Sequence, residues 1–280
     1  MAVRKPQPLK TIGSLVLVGA GKMGGAMLDG WIARGLAPKR IVIVEPQPAR
    51  PIKALTRRGV TLNPKPGPKA RADAAAIVIA VKPQTAPVAV PPLGLYVGAS
   101  TLVLSIMAGR TIGFLEKTLP PGTAIVRAMP NTPASIGRGI TVAVANAKVS
   151  KRQRKLAGDL LSAIGNVEWV DDEALIDAVT ALSGSGPAYV FLLAEAMAKA
   201  GIAAGLPAAL ATRLARETVA GSGELLHRSA LDAATLRQNV TSPGGTTAAA
   251  LEVLMGPGGF DDLLTKAIAA ATKRSRELAG

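Results

Sequence analysis

Residues 15–24 read LVLVGAGKMG, and this stretch decides the fold of the first half of the chain. A short apolar run leads directly into the pattern GxGxxG, and helical periodicity follows as far as Arg34. The first glycine permits a tight turn, the second lets a pyrophosphate approach the backbone, and the third allows helix and strand to pack closely. The stretch therefore predicts a dinucleotide-binding unit, and an ordinary glycine-rich turn is the less favoured alternative.

An acidic residue stands at the expected distance from this motif. Glu45 closes the next apolar run, IVIV, about 20 residues further on, where a carboxylate can accept hydrogen bonds from the ribose hydroxyls of a dinucleotide. This favours NAD over NADP, because the 2′-phosphate of NADP would meet a like charge. Arg50, Arg57 and Arg58 follow closely and could accommodate that phosphate, so both coenzymes stay open.

Strand and helix patterns alternate through the first half of the chain. Six near-continuous apolar runs predict buried strands at 15–18, 41–44, 76–81, 101–105, 124–129 and 140–145. Helical patterns separate them, at 23–34, 49–58, 85–90 and 112–118. Alternation of this kind predicts a mainly parallel sheet covered by helices. The proline-rich segment 62–71 is predicted to be a loop.

The second half is predicted to be helical. A helix near residues 150–165 and an edge strand, GNVEWV, complete an N-terminal domain at 1–170, and helical periodicity alone follows in a C-terminal domain at 171–280. Alanine, leucine and glycine dominate these helices. A unit of roughly 110 residues cannot hide so much apolar surface by itself, which predicts a dimer or a larger ring.

Composition excludes several kinds of chemistry. The chain has no cysteine and one histidine, His227, so a thiolate site, a zinc site and a Ser-His-Asp triad are not expected. No signal-peptide pattern and no uninterrupted apolar run of membrane-spanning length is present, which predicts a cytoplasmic protein without a membrane partner. The net charge of +15 raises nucleic acid as a partner, but the excess lies in the first half, where it can attract an anionic dinucleotide, and aromatic residues are only 2%. Nucleic acid is therefore not expected.

Two polar, glycine-rich segments interrupt the helical half, TALSGSGPAY at 180–189 and QNVTSPGGTT at 238–247. In the second segment, hydroxyl side chains surround the sequence Pro243-Gly244-Gly245. Consecutive backbone N–H groups beside hydroxyls can form an anion-binding nest suited to a carboxylate. A helix start at which Ser242 or Thr246 serves as the N-cap explains the same residues equally well.

Seven blocks, in this order along the chain, resemble the pyrroline-5-carboxylate reductase family. They are GAGKMGGAM, AVKPQ, SIMAG, RAMPNTP, DAVTALSGSGPAYVF, QNVTSPGGTT and LEVLMGPGGFDDLLTKAI, and together they extend from Gly19 almost to the C-terminus. The resemblance implies an N-terminal Rossmann-type domain and an all-helical dimerisation domain. It also implies hydride transfer from NADH or NADPH to the imine of 1-pyrroline-5-carboxylate, which gives L-proline in the last step of proline biosynthesis.

The resemblance also implies roles for individual residues. Those implied to bind the coenzyme are Gly19, Ala20, Gly21, Lys22, Met23, Gly24, Ala80, Val81, Lys82, Pro83, Ile106, Met107, Ala108 and Asn239. Those implied to bind the substrate are Glu173, Ser242, Gly245, Thr246 and Thr247, with Thr247 as the hydroxyl donor to the imine nitrogen. The helical-domain residues are implied to come from the partner subunit of an intertwined dimer, and several dimers are implied to form a ring.

Two positions depart from the family pattern, and both concern the coenzyme. The family often has an asparagine facing the adenosine before the third strand, where this chain offers Asn63, and Glu45 stands where many members carry a small polar residue. Two other functions remain open. A β-hydroxyacid dehydrogenase would need Lys199 as its catalytic lysine, and a redox-sensing protein would bind the dinucleotide without catalysis.

Overall fold

One mixed sheet organises the first part of the chain. The computed structural model describes residues 9–10, 12–64 and 74–279, and within them the sheet has eight strands. These are β1 Ser14–Val18, β2 Ile41–Val44, β3 Thr61–Leu62, β4 Ala74–Ile79, β5 Leu102–Ser105, β6 Ala124–Met129, β7 Gly139–Ala145 and β8 Gly165–Trp169. Their spatial order is β3-β2-β1-β4-β5-β6-β7-β8. Only the β6–β7 pair is antiparallel among these neighbours.

The strand order creates a switch point between β1 and β4. From β1 the chain moves outward to β2 and β3 and then returns to the other side of β1 as β4. The connections above the carboxyl ends of β1 and β4 therefore diverge, and this divergence leaves the crevice in which open α/β sheets bind their ligands. The GxGxxG motif follows β1 directly, which places it in this crevice.

Helices cover both faces of the sheet. They are α1 Lys22–Ala33, α2 Arg50–Ala54, α3 Ala86–Ala89, α4 Ile112–Thr118 and α5 Lys151–Leu161. On one face α1 and α5 pack together, and the indole of Trp31 donates a buried 2.9 Å hydrogen bond to the carbonyl of Leu160. On the other face Leu115 of α4 and Tyr96 lie in a second core. Coverage of both faces explains why the strands read as continuous apolar runs rather than alternating ones.

The rest of the chain is helical. It contains α6 Leu175–Val179, a π-helical turn at Thr180–Gly184, α7 Gly186–Ala203, α8 Ala208–Arg228, α9 Ala233–Asn239, α10 Thr246–Leu254 and α11 Phe260–Ala279. By contact density, Ser185–Ala271 form one compact unit, and the preceding chain up to Gly184 forms another together with the residues from Thr272 onward. The end of α11 packs in the sheet-containing unit, where Ser275 donates a 2.6 Å hydrogen bond to Asp177.

The fold class predicted from the sequence is confirmed, including the helical second half. Two short elements were not expected, β3 and α9. In the predicted 62–71 loop, Leu62 ends β3 and Asn63 has a left-handed backbone with φ 47°, while residues 65–71 lie outside the described part. The domain boundary at 170/171 stays a prediction, since the compact units divide at 184/185.

Candidate active site

The three glycines of the motif have three different surroundings. Gly19 has φ +90°, and a Cβ added to it would lie 2.7 Å from the carbonyl oxygen of Ala80. A Cβ on Gly24 would overlap the carbonyl oxygen of Gly19, so helix and strand approach as closely as the backbone allows. A Cβ on Gly21 would meet no atom within 4 Å. The turn and the close packing therefore require Gly19 and Gly24, whereas Gly21 leaves a backbone surface open to a ligand.

Unpaired backbone donors lie beside that open surface. Helix α1 begins at Lys22, and its N-cap, Gly21, has no side chain with which to cap it. The first N–H bonded back along the helix is that of Gly25, which donates to the carbonyl of Gly21 at 2.7 Å. The N–H groups of Lys22, Met23 and Gly24 thus remain available to an anion at the positive end of the helix dipole. This part of the site fits the pyrophosphate of a dinucleotide.

The carboxylate of Glu45 lies against the same turn. Its Oε2 accepts a 2.9 Å hydrogen bond from the N–H of Ala20, and its Oε1 accepts a 3.0 Å bond from the N–H of Gln47. Asn63 holds the backbone of Glu45 through two 2.8 Å bonds, one in each direction. The side chain predicted to contact the ribose therefore stands next to the glycine-rich turn, and Asn63 acts here as a support for Glu45.

Two further loops leave the sheet beside this turn. Ala80, Val81, Lys82 and Pro83 follow β4, and Ile106, Met107 and Ala108 follow β5. The first loop is joined to β1 by a 2.7 Å bond from the N–H of Ala80 to the carbonyl of Val18. Residues predicted to bind the coenzyme are thus brought together at the carboxyl ends of β1, β4 and β5.

Glu173 takes part in an ion pair within the sheet-containing unit. Its Oε1 accepts a 2.7 Å bond from Nη1 of Arg127 and a 2.8 Å bond from the N–H of Ile112 at the start of α4. The side chain of Arg127 is 3% exposed and that of Glu173 is 29% exposed. Through these two bonds, Glu173 links β6, α4 and the beginning of the helical region. The sequence did not indicate this structural role. Substrate binding by Glu173 stays a prediction.

The glycine-rich segment of the helical half connects α9 and α10. Gly245 is the N-cap of α10 and forms no side-chain cap, and Thr246 and Thr247 are the first helical residues. The first N–H bonded to the helix ladder is that of Ala249, which donates to the carbonyl of Gly245 at 3.2 Å. The alternative in which Ser242 or Thr246 caps the helix is therefore wrong, because the chain turns at Gly244, with φ +68°, and glycine occupies the cap.

Hydroxyl groups surround this uncapped helix start. Ser242 and Thr246 are exposed and Thr247 is half-buried, and none of their hydroxyls is paired with another group in the described part of the chain. Asn239, at the end of α9, is also exposed. The segment thus presents free N–H groups and three hydroxyls together, an arrangement suited to a carboxylate with a nearby polar atom.

A separate cavity of about 500 Å³ lies at the amino ends of the parallel strands, opposite the glycine-rich turn. It is lined by residues before β1 and β5, by Ala75 at the start of β4 and by residues of α5 and its N-cap, among them Gly13, Ser100, Ser150 and Lys155. Ligands of open α/β sheets bind beyond the carboxyl ends of the strands, so this cavity is not the coenzyme site. Among the described residues, no group of three or more His, Asp or Glu side chains is placed to bind a metal ion.

Comparison with known proteins agrees with this geometry. Residues 173–278 match the family model for pyrroline-5-carboxylate reductase dimerisation, and residues 14–109 match that for NADP oxidoreductase, coenzyme F420-dependent. The pyrroline-5-carboxylate reductase of Pseudomonas aeruginosa is 40% identical over 95% of this chain and 96% of its own length. That of Synechocystis is 42% identical over 94% and 97%. The chain belongs to the pyrroline-5-carboxylate reductase family.

Solved structures of the family extend the agreement to three dimensions. A pyrroline-5-carboxylate reductase from Coxiella burnetii superposes with a TM-score of 0.88 at 36% identity, over 96% of this chain and all of the other. The Plasmodium falciparum enzyme, solved with NADP bound, gives a TM-score of 0.79 at 29% identity, over 97% of this chain and 99% of the other. The second structure supports a nicotinamide dinucleotide as the coenzyme of this site.

Family membership accounts for the apolar surface of the helical half. No residue of α7 is buried within the chain, and Phe191 is 68% exposed. The segment Leu175–Ala203 is long and apolar enough to cross a membrane by length and composition alone. Because this segment lies inside the region that matches the dimerisation model, its apolar side chains are those of a self-association surface. The comparison supports a homodimer.

Two basic residues considered from the sequence lie on the surface of the helical half. Lys199 is exposed and pairs with Glu195, one turn earlier on α7, at 2.6 Å. This surface position gives no support to Lys199 as the catalytic lysine of a β-hydroxyacid dehydrogenase. His227 lies exposed in the last turn of α8, as expected for a histidine at a helix C-terminus.

Proposed function

We propose that this protein reduces 1-pyrroline-5-carboxylate to L-proline with hydride from NADH or NADPH, the last step of proline biosynthesis. The main support for this proposal is that the family of the chain and the geometry of its glycine-rich turn agree. The chain is about 40% identical to pyrroline-5-carboxylate reductases over nearly its whole length, and its glycine-rich turn has the open backbone surface that a dinucleotide needs. When bound, the coenzyme supplies a hydride ion, which adds to the imine carbon.

The sheet-containing unit holds the coenzyme in this proposal. Gly21 and the free N–H groups that follow it bind the pyrophosphate, and Glu45 accepts hydrogen bonds from the adenosine ribose. The loops after β4 and β5 line the nicotinamide side, with Ala108 the most exposed of the three residues after β5. Asn239 contributes a contact from the helical region.

The start of α10 binds the substrate in this proposal. The N–H groups beyond Gly245 and the hydroxyls of Ser242 and Thr246 hold the carboxylate, and Thr247 donates a hydrogen bond to the ring nitrogen. Reduction of an imine adds a hydride to carbon and a proton to nitrogen, so the site needs orientation and a donor at nitrogen. A hydroxyl can serve that purpose, which agrees with a site that contains no histidine.

NADH is the preferred coenzyme in this proposal. The N–H groups of Ala20 and Gln47 hold the Glu45 carboxylate beside the glycine-rich turn. In this position the carboxylate accepts hydrogen bonds from the ribose hydroxyls and repels a 2′-phosphate. We further propose an intertwined homodimer, assembled into a ring of dimers, in the cytoplasm. Its partners are the small-molecule substrate and further copies of itself, without nucleic acid or a membrane.

Loss of nicotinamide absorbance with the imine substrate tests the reaction. Purified protein is mixed with NADH or NADPH, and 1-pyrroline-5-carboxylate is then added. We expect that either coenzyme is oxidised only when the imine is present and that L-proline is the product. At low coenzyme concentration the reaction should be faster with NADH. Binding of coenzyme without imine-dependent turnover would instead identify a redox-sensing protein. Strong retention on DNA at physiological salt would return nucleic acid to consideration.

A further inference from the structure

The loops after β4 and β5 are tied together by one arginine side chain. Arg110 ends the β5 loop, and its Nε donates a 3.1 Å hydrogen bond to the carbonyl oxygen of Pro83 in the β4 loop. The strands beneath are parallel neighbours, with Ile79 opposite Ser105, so the two loops leave the sheet side by side. This bond joins their outer ends.

Arg110 is itself held in place from the side of α4. Its guanidinium carbon lies 4.9 Å from the centroid of the Phe114 ring, a cation–π distance. Thr111 caps α4 by accepting a 3.2 Å bond from the N–H of Phe114, and Glu173 accepts the N–H of Ile112 at 2.8 Å. The backbone immediately after Arg110 is therefore fixed, and a half-buried side chain extends this rigidity to the β4 loop.

The β4 loop in turn forms one wall of the glycine-rich turn. The carbonyl oxygen of Ala80 lies 2.7 Å and the N–H nitrogen of Val81 2.9 Å from the position of a Cβ on Gly19. No side chain can fit between the turn and the loop. The loop thus has a backbone contact with the turn at one end and the bond from Arg110 at the other.

We propose that Arg110 is a positioning residue that holds the β4 and β5 loops at the separation required by the nicotinamide half of the coenzyme. This inference rests on the proposed function, because it assumes that these loops line the nicotinamide side. Without the Nε donor, the Pro83 carbonyl keeps the N–H of Ala86, a bond within its own loop, and the tie between the β4 and β5 loops is lost. The adenosine half, held by the glycine-rich turn and Glu45, does not depend on this bond.

Separate affinities for ADP and NADH test the proposal. Arg110→Met keeps an unbranched side chain over Phe114 and removes both the donor and the charge. We expect the Kd of NADH to rise about three- to tenfold, as for loss of one hydrogen bond, while the Kd of ADP changes by less than about twofold. Arg110→Lys retains a cationic donor and should recover part of the NADH affinity. Phe114→Leu, which removes only the support of the guanidinium, should weaken NADH binding about twofold.

A matched control uses the other arginine stacked on an aromatic ring. The guanidinium carbon of Arg154 on α5 lies 4.1 Å from the Trp169 ring at the edge of the sheet, so Arg154→Met removes a similar contact at a distance from the loops. It should leave both affinities unchanged. An unaltered NADH affinity in Arg110→Met, or an equal loss of ADP and NADH affinity, would overturn the proposal. Turnover of the imine by wild-type protein in the same preparation tests the proposed reaction separately.

Discussion

The carboxylate of Glu45 and the backbone N–H of Ala20 are joined by a 2.9 Å hydrogen bond across the glycine-rich turn. One acidic side chain thereby connects the end of β2 to the residue between the first two glycines of the motif. Because Oε1 is also bound, by the N–H of Gln47, the carboxylate has little freedom to turn away. The position of this carboxylate beside the glycine-rich turn is therefore fixed.

Replacement of Glu45 by serine should change the coenzyme preference. Glu45→Ser removes a carboxylate from the side of the site that would face a 2′-phosphate, and relief of such a repulsion is worth about 1–3 kcal/mol. We expect the ratio of kcat/KM for NADPH to that for NADH to rise about ten- to a hundredfold. Steady-state kinetics with both coenzymes measure it. Glu168→Ser, on the edge strand β8, is the control, and an unchanged ratio in Glu45→Ser would show that the carboxylate does not face the phosphate.

Alanine substitutions at Gly21 and Gly24 should have different effects, one on ligand affinity and the other on stability. Gly21 has an ordinary extended backbone, with φ −70°, and open space around its Cβ position, so Gly21→Ala should change the free energy of unfolding by less than about 0.5 kcal/mol. In the proposed site the new methyl group occupies the surface that binds the pyrophosphate, so ADP affinity should fall at least about tenfold. Titration with ADP and thermal unfolding measure the two effects.

Gly24→Ala should behave in the opposite way. Its methyl group would overlap the carbonyl of Gly19, and α1 could accommodate it only by moving away from β1. We expect a loss of about 1–3 kcal/mol of stability, as for an overpacked core, and a lower melting temperature. Equal melting temperatures for the two alanine variants would contradict the packing described here.

Removal of the Thr247 hydroxyl should slow turnover. Loss of one preorganised donor at the reacting nitrogen is expected to lower kcat about ten- to a thousandfold. The Kd of NADH should barely change in Thr247→Ala, since the proposed coenzyme contacts, Asn239 apart, belong to the sheet-containing unit. Thr247→Ser should retain much of the activity. Thr212→Ala on α8, where the hydroxyl donates a 2.8 Å hydrogen bond to the carbonyl of Ala208 in its own helix, is the matched control. A Thr247→Ala variant that is assembled and fully active would exclude Thr247 as the donor.

The ion pair of Arg127 and Glu173 should contribute to stability. Glu173→Ala leaves the almost fully buried guanidinium and the N–H of Ile112 without their acceptor, at a cost of about 2–4 kcal/mol. Glu173→Gln retains an acceptor and should cost less. Once Arg127→Met has removed the cation, the further loss caused by Glu173→Ala should be much smaller. Urea unfolding at one protein concentration measures these differences, and simple additivity would argue against coupling.

The larger elements of the fold could be predicted because their signals are local. Strands β1, β4, β5 and β6 are largely apolar runs covered on both faces, and β6 and α4 begin and end where the pattern places them. The two-residue strand β3 could not be found in this way. It is too short for a pattern, and its place beside β2 depends on pairing with Val42 and Ile43 across the sheet.

The site was predictable where it depends on glycine and less so where it depends on long side chains. Gly19, Gly21 and Gly24 were assigned from their spacing, and the structure gives a steric reason for Gly19 and Gly24 and open space at Gly21. Arg110 and Arg127 were missed, because the partners of an arginine are set by tertiary contact and no local pattern marks them. The resemblance of RAMPNTP did draw attention to the segment around Arg127, but not to its pairing with Glu173.

In the proposed site, Gly21 belongs to the sheet-containing unit and Thr247 to the helical unit, so defects at the two positions are separable. In the intertwined dimer proposed above, each active site combines one unit from each subunit. A mixture of Gly21→Ala and Thr247→Ala chains, refolded together, would then contain dimers in which one site is entirely intact. Two preparations that are each impaired should thus complement each other, because about a quarter of all sites in the mixture are restored to wild type. Two chains with self-contained sites cannot do this.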